Sequence, residues 1–107
     1  MRQMTAIELR DLLATAVSTV KIDVREEVEL KFGMIEGSIH IPMQSVPGKL
    51  NELDQYKNDT IVLICRTGGR SDQVGQFLEQ RGFTDVINLA GGMNQWATNV
   101  DPSVTVY

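Results

Sequence analysis

The chain has 107 residues, of which 42% are hydrophobic and 22% charged, an ordinary composition for a single globular domain spanning 1–107. A net charge of −4 argues against a general nucleic-acid binder, and no apolar run is long enough for a transmembrane helix or a signal-peptide core. With one cysteine and one histidine, we expect no internal disulfide, no metal site, no cofactor and a cytoplasmic location.

The pattern of apolar residues predicts helices and strands in alternation. Thr5 and Glu8 have the spacing of a capping box, and the apolar residues after them recur at helical spacing, which predicts a helix over 6–16. The other predicted elements are a strand over 19–24, a helix over 26–32 ended by Gly33, a strand over 37–42 closed by Pro42, a helix over 50–56, a strand over 61–64, a helix over 71–81, a strand over 85–89 and a helix over 93–97. The tail, 99–107, has no clear periodicity. This order predicts an α/β sandwich with a small, mostly parallel sheet flanked by helices.

The single cysteine lies where a buried strand runs into a tight loop and a helix. Ligands of open α/β sheets bind at such loops, beyond the carboxyl ends of the strands. Two glycines let backbone N–H groups turn inward, the helix N-terminus adds positive charge, and two arginines add more, so we expect a lowered thiol pKa and an anion site. A buried cysteine beside a solvated basic loop is the plain alternative. The candidate residues are the nucleophile Cys65 and the loop residues Arg66, Thr67, Gly68, Gly69, Arg70 and Ser71.

Several side chains near this loop have both a functional and a structural interpretation. Arg70 either binds substrate or braces the loop against a carboxylate such as Glu29. Ser71 is interpreted mainly as the helix N-cap, a position that favours serine. Asp23 and Arg25, at the end of a neighbouring strand, are expected to orient the loop. His40 is interpreted as a surface or sheet-edge residue.

Four segments, in order, resemble the rhodanese family of persulfide-forming sulfurtransferases. They are Asp23-Val24-Arg25-Glu26, the stretch from Gly33 to Pro42, the loop from Cys65 to Ser71, and Gly91-Gly92 with Trp96. The second departs from the family pattern, with Met34 in place of a histidine and Glu36 in place of a proline. Four residues separate Cys65 from Arg70, one fewer than in Cys-based phosphatases, so phosphatase and arsenate reductase rank below sulfurtransferase.

The resemblance implies a rhodanese-like three-layer fold and a two-step sulfur transfer. Cys65 would take a sulfane sulfur from thiosulfate or a similar small anionic donor, become a persulfide, and pass the sulfur to cyanide, a thiol or a protein. Arg66 would suit the anionic donor. The resemblance also favours the bracing role of Arg70, because the last arginine of this loop often braces the loop in the family. The alternative is a persulfide carrier that serves a partner such as a ubiquitin-like sulfur carrier. Val100-Asp101-Pro102-Ser103, with the final Tyr107, resembles the end of rhodanese domains fused to adenylyltransferases that thiolate such carriers. A non-catalytic rhodanese-like binding module is disfavoured by the presence of Cys65.

Overall fold

A five-stranded, fully parallel sheet forms the centre of the protein in the computed structural model, which describes residues 1–107. The strands are β1 (Arg2–Met4), β2 (Thr19–Asp23), β3 (Ile39–His40), β4 (Thr60–Ile64) and β5 (Asp85–Leu89), in the order β1-β5-β4-β2-β3. The α-helices are α1 (Ala6–Leu13), α2 (Leu50–Leu53), α3 (Gly69–Gln80) and α4 (Gly92–Asn99), and 3₁₀-helices cover Glu27–Phe32, Met43–Ser45, Pro47–Lys49 and Asp54–Tyr56.

The continuous apolar run of β4 is explained by burial of the sheet on both faces. Successive side chains of a strand point to opposite faces. Ile61 and Leu63 accordingly belong to one buried cluster, with Leu78 of α3, whereas Val62 and Ile64 belong to another, which contains residues of α1 and α4. Helices therefore cover both faces of the sheet, as expected for a parallel sheet. This arrangement confirms the predicted three-layer α/β class.

Most predicted elements are present, with shifted boundaries. The capping box of Thr5 and Glu8 is confirmed, although α1 ends at Leu13 and not near residue 16. The helix predicted over 26–32 is a 3₁₀-helix, and Gly33 ends it with φ of 115°. Strand β1 was not predicted, because its three residues form a strand only by pairing with β5. None of the helices is long and apolar enough to cross a membrane.

The parallel arrangement brings the ends of three central strands to one edge of the sheet. Asp23 at the end of β2 lies opposite Ile64 at the end of β4, and Leu63 lies opposite Asn88 of β5. Cys65 follows Ile64 directly and is only 1% exposed. The candidate loop therefore starts at the carboxyl edge of the sheet, between strands that carry buried polar side chains on both sides.

Candidate active site

Hydrogen-bond donors of the loop converge on the sulfur of Cys65. The backbone N–H of Gly68 donates to Sγ over 3.1 Å, and the Ser71 hydroxyl lies 3.2 Å from the same atom. Gly68 has φ of 104°, a left-handed conformation that suits glycine, and it immediately precedes α3. The loop therefore turns its N–H groups towards the thiol at a helix N-terminus, the arrangement that favours an anion.

The environment lowers the pKa of the Cys65 thiol. Burial by itself raises this pKa, because it disfavours the charged form. The hydrogen bond from the Ser71 hydroxyl and the backbone N–H groups of Ser71, Gly68 and Thr67 outweigh that effect. The lowering comes from these neutral donors, whereas the sequence had predicted a contribution from the two arginines as well. Arg70 acts on the thiolate through its charge, since Cys65 in turn helps to raise the pKa of Arg70.

Ser71 is not the N-cap of α3, contrary to the interpretation of the sequence. The helix begins at Gly69 and its N-cap is Gly68, so Ser71 lies inside the first turn. Its side chain is fully buried and contacts the Cys65 sulfur and, at 2.5 Å, the side-chain oxygen of Asn88. The serine hydroxyl therefore belongs to the environment of the thiol.

The start of α4 holds the loop from the other side. The backbone N–H of Met93 donates to the carbonyl of Cys65 over 2.9 Å, and that of Asn94 donates to the carbonyl of Arg66 over 3.1 Å. A Cβ atom on Gly92 would lie 2.4 Å from the Arg66 carbonyl oxygen, so no side chain fits there. Gly92, the first residue of α4, thus allows the helix to approach the backbone of Cys65 and Arg66.

Arg70 forms a two-point ion pair with Glu29. Its two terminal nitrogens donate to the two carboxylate oxygens over 2.7 and 2.8 Å. These hydrogen bonds lower the pKa of Glu29 to about 2, against the effect of burial. Because both ends of the guanidinium are occupied, the geometry is that of a brace between the loop and the 3₁₀-helix Glu27–Phe32.

Asp23 and Arg25 form a second ion pair, and both side chains are fully buried. The Arg25 guanidinium donates to both oxygens of Asp23 and also to the backbone carbonyls of Gly33 and Glu29. Neither side chain forms a hydrogen bond with Cys65, and the bonds of Arg25 to the Gly33 and Glu29 carbonyls show that the pair supports the segment that carries Glu29. His40 lies on the edge strand β3, with Nε2 at 2.7 Å from the Arg25 carbonyl oxygen.

Tyr107, in the tail, forms hydrogen bonds with one member of each ion pair, Glu29 and Arg25, although the sequence of the tail showed no periodicity. The Tyr107 hydroxyl donates to Glu29 over 2.9 Å and accepts from Arg25 over 3.2 Å, while its ring stacks on Phe32. Arg66 donates to the Tyr107 carbonyl and lies 5.1 Å from the ring centroid. Of the loop side chains, therefore, Arg66 and Thr67 remain exposed at the surface, and Arg66 faces the tail.

Asn88 is the polar group near the thiol that the sequence interpretation missed. It is 3% exposed and lies in the otherwise apolar strand β5. Its side-chain nitrogen donates to the Gly68 carbonyl over 3.2 Å and to Gln3 over 2.8 Å. A buried amide in an apolar strand requires partners, and this is the signal that could have identified it.

These features define a class of protein: a parallel α/β domain with a cysteine, stabilised as a thiolate by loop N–H groups, at the carboxyl edge of its sheet. The chain belongs to the rhodanese-like domain family, whose model matches residues 5–99.

Related proteins agree with this assignment. The chain is 36% identical over 101 residues to the putative sulfurtransferase YtwF of Bacillus subtilis, covering 94% of this chain and 95% of that protein. It is 40% identical over 75 residues to the putative sulfur carrier protein YrkF of the same organism, covering 70% of this chain and 40% of that protein. The crystal structure of a rhodanese-like domain protein from Staphylococcus aureus superposes with a TM-score of 0.84 at 32% identity, covering 100% of this chain and 99% of that one.

Proposed function

We propose that this protein is a sulfurtransferase that moves a sulfane sulfur from thiosulfate, or a similar anionic donor, to a thiophilic acceptor through a persulfide on Cys65. The convergence of the Gly68 N–H and the Ser71 hydroxyl on one sulfur atom supports the proposal most directly. A thiolate is the reactive form of cysteine, and donors that stabilise it raise its population near neutral pH.

In the first step the Cys65 thiolate attacks the outer sulfur of thiosulfate. A new S–S bond forms to Cys65, the S–S bond of the donor breaks, and sulfite leaves with the bonding electron pair. The negative charge passes to the outer sulfur of the persulfide, so no proton is consumed. In the second step the acceptor attacks that outer sulfur, and the thiolate of Cys65 leaves. Such division of one transfer into two easier steps is the usual benefit of covalent catalysis.

The loop provides for an anionic donor in two ways. The Gly68 N–H donates to the Cys65 sulfur and so stabilises the negative charge of the attacking thiolate. Arg66 is exposed and would supply a full positive charge for the sulfonate portion of the donor when its guanidinium leaves the Tyr107 carbonyl. Because Cys65 is 1% exposed, the donor must be small enough to enter the loop or must displace loop side chains.

A cyanide-dependent assay of thiocyanate formation tests this proposal. The parent protein should turn over, Cys65→Ser should not, and Arg66→Met should raise the KM for thiosulfate more than it changes kcat. Arg2→Met serves as the control, since Arg2 pairs with Asp85 at the surface. Turnover by Cys65→Ser at the parent rate would refute the proposed function.

Persulfide delivery to a partner protein is the second candidate. The chain has no second cysteine that could release the sulfur internally, so the acceptor must come from outside. The relative named as a putative sulfur carrier favours this possibility. Comparing turnover with small thiols to single-turnover transfer from persulfidated protein to a carrier protein distinguishes the two. Rapid turnover with cyanide or small thiols alone favours the enzyme, and a persulfide that only a protein discharges favours the carrier.

A further inference from the structure

A single hydroxyl hydrogen lies between two acceptors beside the nucleophile. Ser71 Oγ is 3.2 Å from the Cys65 sulfur and 2.5 Å from Asn88 Oδ1. A serine hydroxyl has only one hydrogen to donate. It can therefore satisfy the sulfur or the amide oxygen at any moment, but not both.

The orientation of the Asn88 amide follows from its other partners. Both contacts of its nitrogen, the Gly68 carbonyl and the Gln3 side-chain oxygen, are acceptors, so the nitrogen must face them. Its oxygen then faces Ser71 and can only accept. When the Asn88 bond forms, Ser71 must be the donor.

The protonation state of Cys65 decides which bond is made. A neutral thiol can donate its own hydrogen to Ser71 Oγ, while Ser71 donates to Asn88. Each of these three side chains then has a hydrogen-bond partner. A thiolate has no hydrogen and gains most when Ser71 turns its hydrogen to sulfur, which leaves Asn88 Oδ1 without that donor. All three side chains are at most 3% exposed, so water does not readily replace the lost partner.

We propose that Asn88 is a positioning residue that competes with the Cys65 thiolate for the hydroxyl hydrogen of Ser71, and that the hydrogen moves to sulfur in the thiolate state and returns to Asn88 in the persulfide state. The second half of this statement rests on the proposed function. In a persulfide the charge resides on the outer sulfur, and the inner sulfur is a weak acceptor. The return of the Ser71 hydrogen to Asn88 then offsets part of the cost of leaving the thiolate state.

A double-mutant cycle on the thiol pKa tests the competition without any sulfur donor. The thiolate absorbance of the sole cysteine is measured against pH, with Cys65→Ser as the baseline. It gives the pH midpoint of thiol ionisation for each variant. Asn88→Leu should lower the midpoint, because Ser71 then donates to sulfur without a rival. Ser71→Ala should raise it by about one pH unit, a tenfold change in the ionisation constant. Asn88→Leu in the Ser71→Ala background should shift it much less, because only the Asn88 bond to the Gly68 carbonyl is then lost.

Two more variants complete the test. Gln3→Met removes a partner of the Asn88 nitrogen and leaves its oxygen unchanged, so it should not move the midpoint. If Asn88→Leu does not fold, Asn88→Asp provides a stronger acceptor of similar shape. Asn88→Asp should raise the pH midpoint of thiol ionisation, and the increase should be smaller in the Ser71→Ala background. If an Asn88 substitution shifts the ionisation midpoint equally with and without the Ser71 hydroxyl, the proposal is overturned, whatever the outcome of the thiocyanate assay.

Discussion

The backbone N–H of Met93 donates to the carbonyl of Cys65 over 2.9 Å, which connects the cysteine to the first turn of α4. This contact depends on the absence of a side chain at Gly92, the residue before Met93. The loop from Cys65 to Ser71 is therefore held between two helix N-termini. It leads into α3, and N–H groups of α4 bind its carbonyls.

Gly92→Ala should weaken both the fold and the loop. The added Cβ would lie 2.4 Å from the Arg66 carbonyl oxygen and 2.5 Å from that of Cys65, so α4 or the loop must shift. We expect a loss of about 1–3 kcal/mol in the free energy of unfolding, as for other overpacked sites. Urea denaturation measures it. Gly48→Ala is the control, since a Cβ there meets nothing within 4 Å. Equal stabilities of the two variants would contradict this account of Gly92.

Arg25→Met should be among the most destabilising single substitutions. It leaves the fully buried Asp23 carboxylate without its partner. Loss of one member of a buried ion pair costs about 3–5 kcal/mol. The matched control is Arg10→Met, because Arg10 and Asp11 form an exposed pair, with side chains 51% and 66% accessible, and such pairs contribute about 0–1 kcal/mol. Chemical denaturation of both variants checks the difference, and similar losses would mean that the buried pair does not support the fold.

Glu29 should make stability depend on acidic pH. The hydrogen bonds from Arg70 depress its pKa from 4.5 to about 2 in the folded protein. A depressed pKa contributes stability that is complete above the unfolded value and is lost as the pH falls through the folded value. The contribution therefore disappears between about pH 4.5 and about pH 2.

Unfolding by urea at several pH values tests this dependence. Glu29→Gln should be less stable than the parent near neutral pH, and the difference should shrink as the pH falls through that range. Glu52→Gln, at a side chain that is 71% exposed, is the control and should follow the parent throughout. A Glu29→Gln deficit that is the same at every pH would rule out the carboxylate as its source.

Tyr107→Phe should lower stability through its hydroxyl alone. The ring can remain stacked on Phe32, whereas the bonds to Glu29 and Arg25 are lost. Hydrogen bonds to charged groups contribute about 1.5–3 kcal/mol, and partial exposure here favours the lower end. Thermal or urea denaturation against Tyr56→Phe, the only other tyrosine, provides the comparison. A Tyr107→Phe variant as stable as that control would show that the tail hydroxyl is not part of the brace.

Local signals were sufficient to predict the strand, the cysteine, the glycines and the following helix of the active loop. The run from Ile61 to Ser71 carries its own pattern. The preference for a brace between Arg70 and Glu29 came from the family resemblance, and the ion pair between these two side chains agrees with it. Asn88 and Tyr107 were missed as part of the site because their partners are distant in sequence: Asn88 meets Gln3 across 85 positions, and Tyr107 meets Arg25 across 82. Only the parallel topology brings such residues to the same edge of the sheet.

The role of Ser71 shows how a local rule can be overridden. Serine before a helical pattern favours an N-cap, yet Gly68 takes that position because its left-handed φ turns the loop N–H towards sulfur. Once the helix starts at Gly69, the serine side chain faces inward and finds the thiol and Asn88. The same residues would allow the helix to begin after Ser71. The contacts around the sulfur favour a start at Gly69 instead.

Mass spectrometry of the protein after incubation with thiosulfate shows whether Cys65 forms a persulfide. Intact protein should gain the mass of one sulfur atom, and peptide analysis after alkylation should place it on Cys65. The gain should be lost on treatment with cyanide and absent from Cys65→Ser. An unmodified Cys65 after incubation with thiosulfate, in a folded protein with a titratable thiolate, would contradict the account.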